Sequence, residues 1–192
     1  MAGADEAGRG SLFGPVYAAA VILDAEQPVA GLADSKTLAP DRRTRLAAEI
    51  RARAVAWSVA SVDAMEIDRI NIYQASRLAI LRAVEALHPQ PAYLLIDALT
   101  IDSPLPQEGI IKGDAKVACI AAASILAKTA RDEWVESADA GFPGYGLAAH
   151  KGYPTPVHLE ALARLGPTPL HRRSYAPVRA ALQGRQIGRA HV

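Results

Sequence analysis

Four acidic residues in this chain follow short apolar runs. Asp5 and Glu6 close the N-terminal run, Asp97 ends YLLID, and Asp114 comes shortly after GII. If those runs are strands of one sheet, three strand ends can gather the four carboxylates at one edge, where they repel one another unless a cation intervenes. Hard divalent ions such as Mg²⁺ and Mn²⁺ take oxygen ligands, commonly one or two carboxylates plus a substrate phosphate. Two such ions about 3.5–4 Å apart can activate a water and stabilise the leaving oxygen of a phosphodiester. A single acid of this kind is more often a helix cap or a solvated loop residue; the recurrence after three apolar runs is what favours metal chemistry.

Three other segments could touch a phosphate or a base. Gly8-Arg9-Gly10 with Gly14 has the look of a phosphate-cradling loop. A dinucleotide site is excluded by context, because strand-like PVYAAAVIL follows where a helix N-terminus would be needed. HKGYPT (His150–Thr155) sets Tyr153 and Lys151 just before a helix, a ring for stacking beside a cation for phosphate. His171-Arg172-Arg173 is a second basic cluster. The histidines have no HxxxH or HExxH spacing, so zinc is not expected.

The elements that must carry these residues alternate strand and helix. Met1–Glu6 reads as a first strand, Ala7–Gly14 as a turn, and Val16–Leu23, apolar throughout, as a central strand covered on both faces. Pro40 suits the first turn of a helix to about Arg53, followed by a strand over Ala54–Val62. Asp63–Asp68 reads as a helical turn, and Asn71 as the N-cap of a helix through Leu87. Short strands at Tyr93–Ile96 and Gly109–Ile111 precede one long buried helix, Ala115–Ser137. A helix over Thr155–Leu165 and a Pro- and Arg-rich end complete the chain. Strands one and two are joined too tightly for a parallel crossover, so the sheet should be mixed.

Composition limits the class. The chain has 192 residues, the size of one domain, and 51% of them are hydrophobic, yet only 5% are aromatic and 40 are Ala, so backbones must approach closely. Cys119 stands alone in an apolar run and reads as a small buried hydrophobe. No stretch is long enough to span a membrane and no signal peptide is evident, so a cytoplasmic protein is expected. Net charge is +1, but residues 1–140 carry 14 Lys and Arg against 19 Asp and Glu, whereas residues 141–192 carry 7 against Glu160 alone. An acidic body with a basic end suggests a polyanionic partner.

In GADEAGRG, DSKTL, EIDRINI, LLIDAL, KGDAK with IAAASILAKTARD, HKGYPT and GPTPLHRRSYAPV, in that order over about Gly3–Leu182, the sequence resembles bacterial ribonuclease HII. The resemblance implies a ribonuclease H-like α/β fold: a five-stranded mixed sheet flanked by helices, with a catalytic core over 1–140 and a small C-terminal helical, substrate-binding region over 141–185. It implies a Mn²⁺- or Mg²⁺-dependent endonuclease that hydrolyses the RNA strand of RNA/DNA hybrids. It also implies cutting 5′ of single ribonucleotides embedded in duplex DNA, giving 3′-OH and 5′-phosphate ends, with a role in ribonucleotide excision and primer removal during DNA replication. A monomer is expected.

By motif, the family's acidic quartet falls on Asp5, Glu6, Asp97 and Asp114, as catalytic and metal-holding residues. Its GRG loop falls on Gly8, Arg9 and Gly10, which would sense the ribose 2′-OH that distinguishes RNA from DNA. Its junction-reading tyrosine falls on Tyr153. Lys36, Asn71, Lys112, Lys151 and Arg172 are further candidates for the nucleic-acid backbone. The related HIII branch carries an additional N-terminal domain and a different fourth acid. Only Met1 and Ala2 precede the first block, so the start reads as truncated, and QIGRAHV (Gln186–Val192) reads as a non-native tail.

Overall fold

The computed structural model describes residues 1–32, 35 and 37–189, with side chains through Gly184. Five strands, β1 (Ala2–Ala7), β2 (Val16–Ile22), β3 (Ala56–Val62), β4 (Leu94–Asp97) and β5 (Gln107–Ile110), form one open sheet in the order β3-β2-β1-β4-β5. β2 is antiparallel to both β1 and β3, and β1, β4 and β5 run parallel. The sheet is therefore mixed, and its three parallel strands end along one edge.

Alternation along the central strands sends small side chains to two separate cores. Ala2, Ala4, Ala18 and Ala20 meet Ala79, Ile80 and Ala83 of α3 (Ile72–Glu85) on one face. On the other, Ala19 and Val21 meet Leu46 and Ile50 of α1 (Pro40–Arg53) and Ala122, Ala123, Ile125 and Leu126 of α4 (Ala118–Asp139). The close backbone-to-backbone approach that the alanine content demands is greatest at Gly3, where a Cβ would lie 2.2 Å from the Cys119 carbonyl carbon and 2.4 Å from the Ile120 nitrogen. Only glycine lets β1 lie this near α4. Cys119 is buried, as a small hydrophobe should be.

Caps set the helix starts. Asp63 accepts a hydrogen bond from the Glu66 amide to open α2 (Ala64–Ile70), and Asn71 accepts one from the Gln74 amide to open α3. The long helix begins later than the apolar pattern suggests. Lys112 adopts a left-handed conformation, Gly113–Ala115 form a 3₁₀ turn, and Val117 is extended, so α4 starts at Ala118.

The C-terminal end is more helical than its Pro and Arg content implies. It holds a short α5 (Leu147–His150), α6 (Pro156–Leu165) opened by a Thr155 cap, and α7 (Ala176–Arg189). Residues 190–192 of the expected tail lie outside the described residues, whereas α7 runs through Arg189. This region docks on the β1–β2 loop: Leu12 N–H donates to Gly152 O, Gly14 N–H to Leu170 O and Arg172 N–H to Leu12 O, each at 2.9 Å. Phe13, Val135, Tyr145, Leu147 and Ala161 fill a core between loop and helices. Among the described residues, no helix is long and apolar enough to cross a membrane.

Candidate active site

The register of the parallel strands brings the acids together. Ala4 of β1 pairs with Ile96 of β4, so the next residues, Asp5 and Asp97, are neighbours at the strand ends. Asp97 Oδ1 accepts from the Gly113 amide at 2.8 Å, which draws the 3₁₀ turn carrying Asp114 against β4. One carboxylate oxygen from each of Asp5, Asp97 and Asp114 lies within 4.8 Å of the others, with Asp5 4% and Asp114 6% exposed. Burial is the main force raising the Asp5 carboxyl well above its ordinary pKa; the charges of Glu6 and Asp97 add to it, and a hydrogen bond with Ser124 opposes it. Three carboxylate oxygens this close together, one of them on an Asp5 that burial makes reluctant to ionise, fit a hard divalent cation, which would relieve the cost of charging Asp5.

Glu6 stands outside this trio. Its Oε1 pairs with Arg9 at 3.2 Å, and its Oε2 is buried without a hydrogen-bond partner. Burial also raises its pKa, against the pull of Arg9. An orphaned, desolvated carboxylate oxygen beside the trio suits a second cation contact.

The acids open onto a cavity of about 690 Å³ whose walls include Gly8, Arg9, Gly10, Lys151 and Tyr153. Gly8 has φ +96°, and a Cβ there would lie 2.1 Å from Arg131 Nε. Gly10 is different, since its Cβ would face only the Tyr153 ring edge at 3.9 Å. The GRG loop and Tyr153 thus form opposite jaws. Arg131, fully buried, stacks its guanidinium 5.1 Å from the Tyr153 ring centroid and donates to Lys151 O at 2.8 Å.

The weaker candidates fare unevenly. Lys151 lines the cavity while pairing with Glu136 at 2.7 Å. Lys112 is exposed in the turn before Asp114, and Asn71 is exposed with its side-chain oxygen occupied as a helix cap. Lys36 lies outside the described residues. Arg172 requires correction as a backbone contact: it is fully buried, donating from Nε to Gly14 O and from Nη1 to Arg9 O and the Tyr175 hydroxyl at 2.9–3.0 Å. Its work is to hold the GRG loop from beneath.

Sequence reasoning missed Ser124, Lys128 and Asp132, which line the cavity together with Arg43. Asp132 binds Lys128 Nζ at 2.5 Å and Arg43 Nη2 at 2.9 Å. The available signal was their spacing, i, i+4 and i+8 along α4, a polar stripe that starts inside the apolar run Val117–Ala127 and continues past its end.

Three carboxylates, two buried and one half-buried, at the parallel edge of a β3-β2-β1-β4-β5 sheet define a metal-dependent nuclease with a ribonuclease H-like fold. The crystal structure of ribonuclease H2 from Pyrococcus horikoshii OT3 matches it with a TM-score of 0.81 at 26% identity, covering 96% of this chain and 98% of that one. The sequence profile of the family described as Ribonuclease HII matches residues 2–178. Ribonuclease HII of Solibacter usitatus (strain Ellin6076) is 59% identical over 180 residues, 94% of this chain and 79% of the relative. That of Geobacillus kaustophilus (strain HTA426) is 55% identical over 183 residues, 95% and 70% respectively. The chain belongs to the ribonuclease HII family, and is a type 2 ribonuclease H: a metal-dependent endoribonuclease acting on the RNA of RNA/DNA hybrids.

Proposed function

We propose that this protein cuts both RNA/DNA hybrids and duplex DNA at the 5′ side of single embedded ribonucleotides, with Mn²⁺ or Mg²⁺, leaving 3′-OH and 5′-phosphate ends. The observation that carries this reading is the convergence of Asp5, Asp97 and Asp114 within 4.8 Å, beside a cavity whose jaws are Gly8–Gly10 and Tyr153. Asp5, Asp97 and Asp114 would hold the ions, with Glu6 Oε2 completing a second position. Bound there, the ions supply charge stabilisation at the scissile phosphate and activate the attacking water.

The rest of the reaction belongs to the chain's own groups. The Gly8–Gly10 backbone, unobstructed at Gly10, comes close enough to a ribose to detect its 2′-OH by hydrogen bonding. Tyr153 stacks on the following sugar and favours a deoxynucleotide there. Arg43, Lys128 and Lys151 attract the phosphate backbone around the cavity without choosing a sequence. With the charge of Asp5, Asp97 and Asp114 matched by cations, the acidic body no longer opposes a polyanion, and the basic C-terminal segment can engage it.

The test is a duplex with one embedded ribonucleotide and a continuous hybrid, each incubated with Mn²⁺, Mg²⁺ or chelator. Metal-dependent incision 5′ of the ribonucleotide supports the proposal; cleavage of the hybrid alone removes its embedded-ribonucleotide part.

A further inference from the structure

Three histidines of the C-terminal region stand where the proposed reaction gives them no role. His158 on α6 is fully buried and His171 is 1% exposed. Their Nε2 atoms are 3.2 Å apart. Two imidazoles can share one hydrogen bond at that point only if one ring presents a proton and the other a lone pair. Their other nitrogens decide which is which.

His171 Nδ1 accepts from the Thr168 amide at 3.0 Å, so it carries no proton, and the proton of neutral His171 sits on Nε2. His158 Nδ1 lies 2.9 Å from Tyr153 O, which can only accept, so His158 carries its proton on Nδ1 and offers a lone pair at Nε2. The bonds thus run one way: Thr168 N–H to His171, His171 to His158, His158 to the Tyr153 carbonyl. His150 stacks on His158 with centroids 4.4 Å apart; its Nδ1 accepts from the Gly152 amide and its Nε2 donates to Tyr145 O. The Thr168 hydroxyl also lies 2.9 Å from His171 Nδ1, and the rings of Phe13 and Tyr145 pack against His171. Burial lowers the basicity of both imidazoles, as a chain that works only when neutral requires.

The next residue, Arg172, holds Arg9 O at 2.9 Å. Adjacent residues therefore anchor the two jaws of the cavity, Arg172 the GRG loop directly and His171 the Tyr153 peptide through His158. We infer that His158 and His171 are positioning residues for Tyr153, fixing its main chain so that its ring is held beside Gly10 at the rim of the cavity. This inference rests on the reading of Tyr153 given under the proposed function.

Two measurements test it. Long-range ¹H–¹⁵N NMR of the histidine rings in the full-length protein at pH 7.5 should find His158 as the Nδ1–H tautomer and His171 as Nε2–H. The opposite tautomer at His158, or a protonated ring at either position, would overturn the relay. For function, His158→Leu removes the donor and His158→Asn retains one near the Nδ1 position. On the embedded-ribonucleotide duplex, His158→Leu should lower kcat/KM about tenfold or more relative to its effect on a continuous hybrid, the scale expected when a positioned group shifts. His158→Asn should recover most of the loss, and in a Tyr153→Ala background His158→Leu should cost nothing further. Equal losses on both substrates, or the same loss with and without the Tyr153 ring, would assign His158 a merely structural role and defeat the inference. A Tyr153→Ala enzyme with unchanged substrate preference would instead defeat the reading of Tyr153, leaving the tautomers to decide the relay.

Discussion

Asp5 and Asp97 sit on adjacent parallel strands, one step past the Ala4–Ile96 pair, so sheet register alone makes two carboxylates neighbours at the edge of the cavity. Asp5 is 4% exposed and carries a raised pKa, because folding buries it and places Glu6 and Asp97 beside it. A carboxyl raised in the folded state favours folding below its unfolded pKa, and that contribution is lost as pH rises through the folded value. Near neutral pH the metal-free protein therefore bears an electrostatic cost at this edge. Asp5→Asn should raise the Tm of the chelated protein by about 2–4 °C, the shift that about 1 kcal/mol produces at this chain length. Added Mn²⁺ should raise the parent's Tm and do little to the variant's. Calorimetry with and without chelator checks both.

The two glycines of the GRG loop should part company. Gly8→Ala forces a side chain into a left-handed backbone and onto Arg131, so a loss of about 2 kcal/mol or more is expected. Gly10→Ala meets nothing closer than the Tyr153 ring edge at 3.9 Å and should melt like the parent. Its added methyl still stands between the loop and a ribose, so its cleavage should fall. Thermal melts paired with cleavage rates distinguish the two.

Arg172 and Lys151 give opposite expectations. Removing the Arg172 guanidinium leaves the buried Gly14 carbonyl without its donor and the Arg9 carbonyl with only the Tyr175 hydroxyl, so Arg172→Gln should cost about 2 kcal/mol in stability. Its salt dependence of hybrid binding should match the parent's. Lys151→Gln should melt within about 1 kcal/mol of the parent, because Lys151 is exchanging a partly exposed ion pair, and should flatten the dependence of binding on salt.

Acid should weaken the C-terminal region through its histidines. Burial, with the charge of His158 as the lesser cause, takes His171 from 6.5 down to about 3, and no carboxylate contributes to the shift of either ring. A group with a depressed folded pKa favours folding above the unfolded value and loses that contribution as pH falls toward the folded one. Stability should thus decline below pH 6.5, by about 1.4 kcal/mol per pH unit for His171. His171→Gln, which cannot titrate, should show a shallower decline in urea melts taken from pH 7 to pH 4.5.

Much of this architecture is legible in the residues. Pro40, Asp63, Asn71 and Thr155 mark helix starts by the local chemistry of caps, and the short AGRGSLFG link between strands one and two fixes their antiparallel pairing. Asp114 comes four residues after a β5 (QEGI) that is half polar, whereas Asp5, Glu6 and Asp97 are legible because they close short apolar runs, a pattern that survives without knowledge of the packing. Arg172 is not, because nothing in a basic cluster says which arginine turns inward; its burial comes from the docking of His171 against Phe13. Lys128 and Asp132 hide in an alanine-rich helix, and the pairing of Asp132 with Arg43 spans 89 residues of sequence. The start of α4 shifts because Lys112 turns left-handed, a consequence of drawing Gly113 onto Asp97 rather than of any local helix signal.

One measurement reaches the central claim most directly: incision of a duplex bearing a single ribonucleotide, comparing the parent with Asp97→Asn in Mn²⁺, Mg²⁺ and chelator, with hybrid binding measured alongside. The parent should cut 5′ of the ribonucleotide only with metal, leaving a 3′-OH and a 5′-phosphate, while Asp97→Asn binds the hybrid and does not cut. Incision by Asp97→Asn at the parent's rate, or by the parent in chelator, would contradict a metal-dependent reaction at the Asp5–Asp97–Asp114 edge.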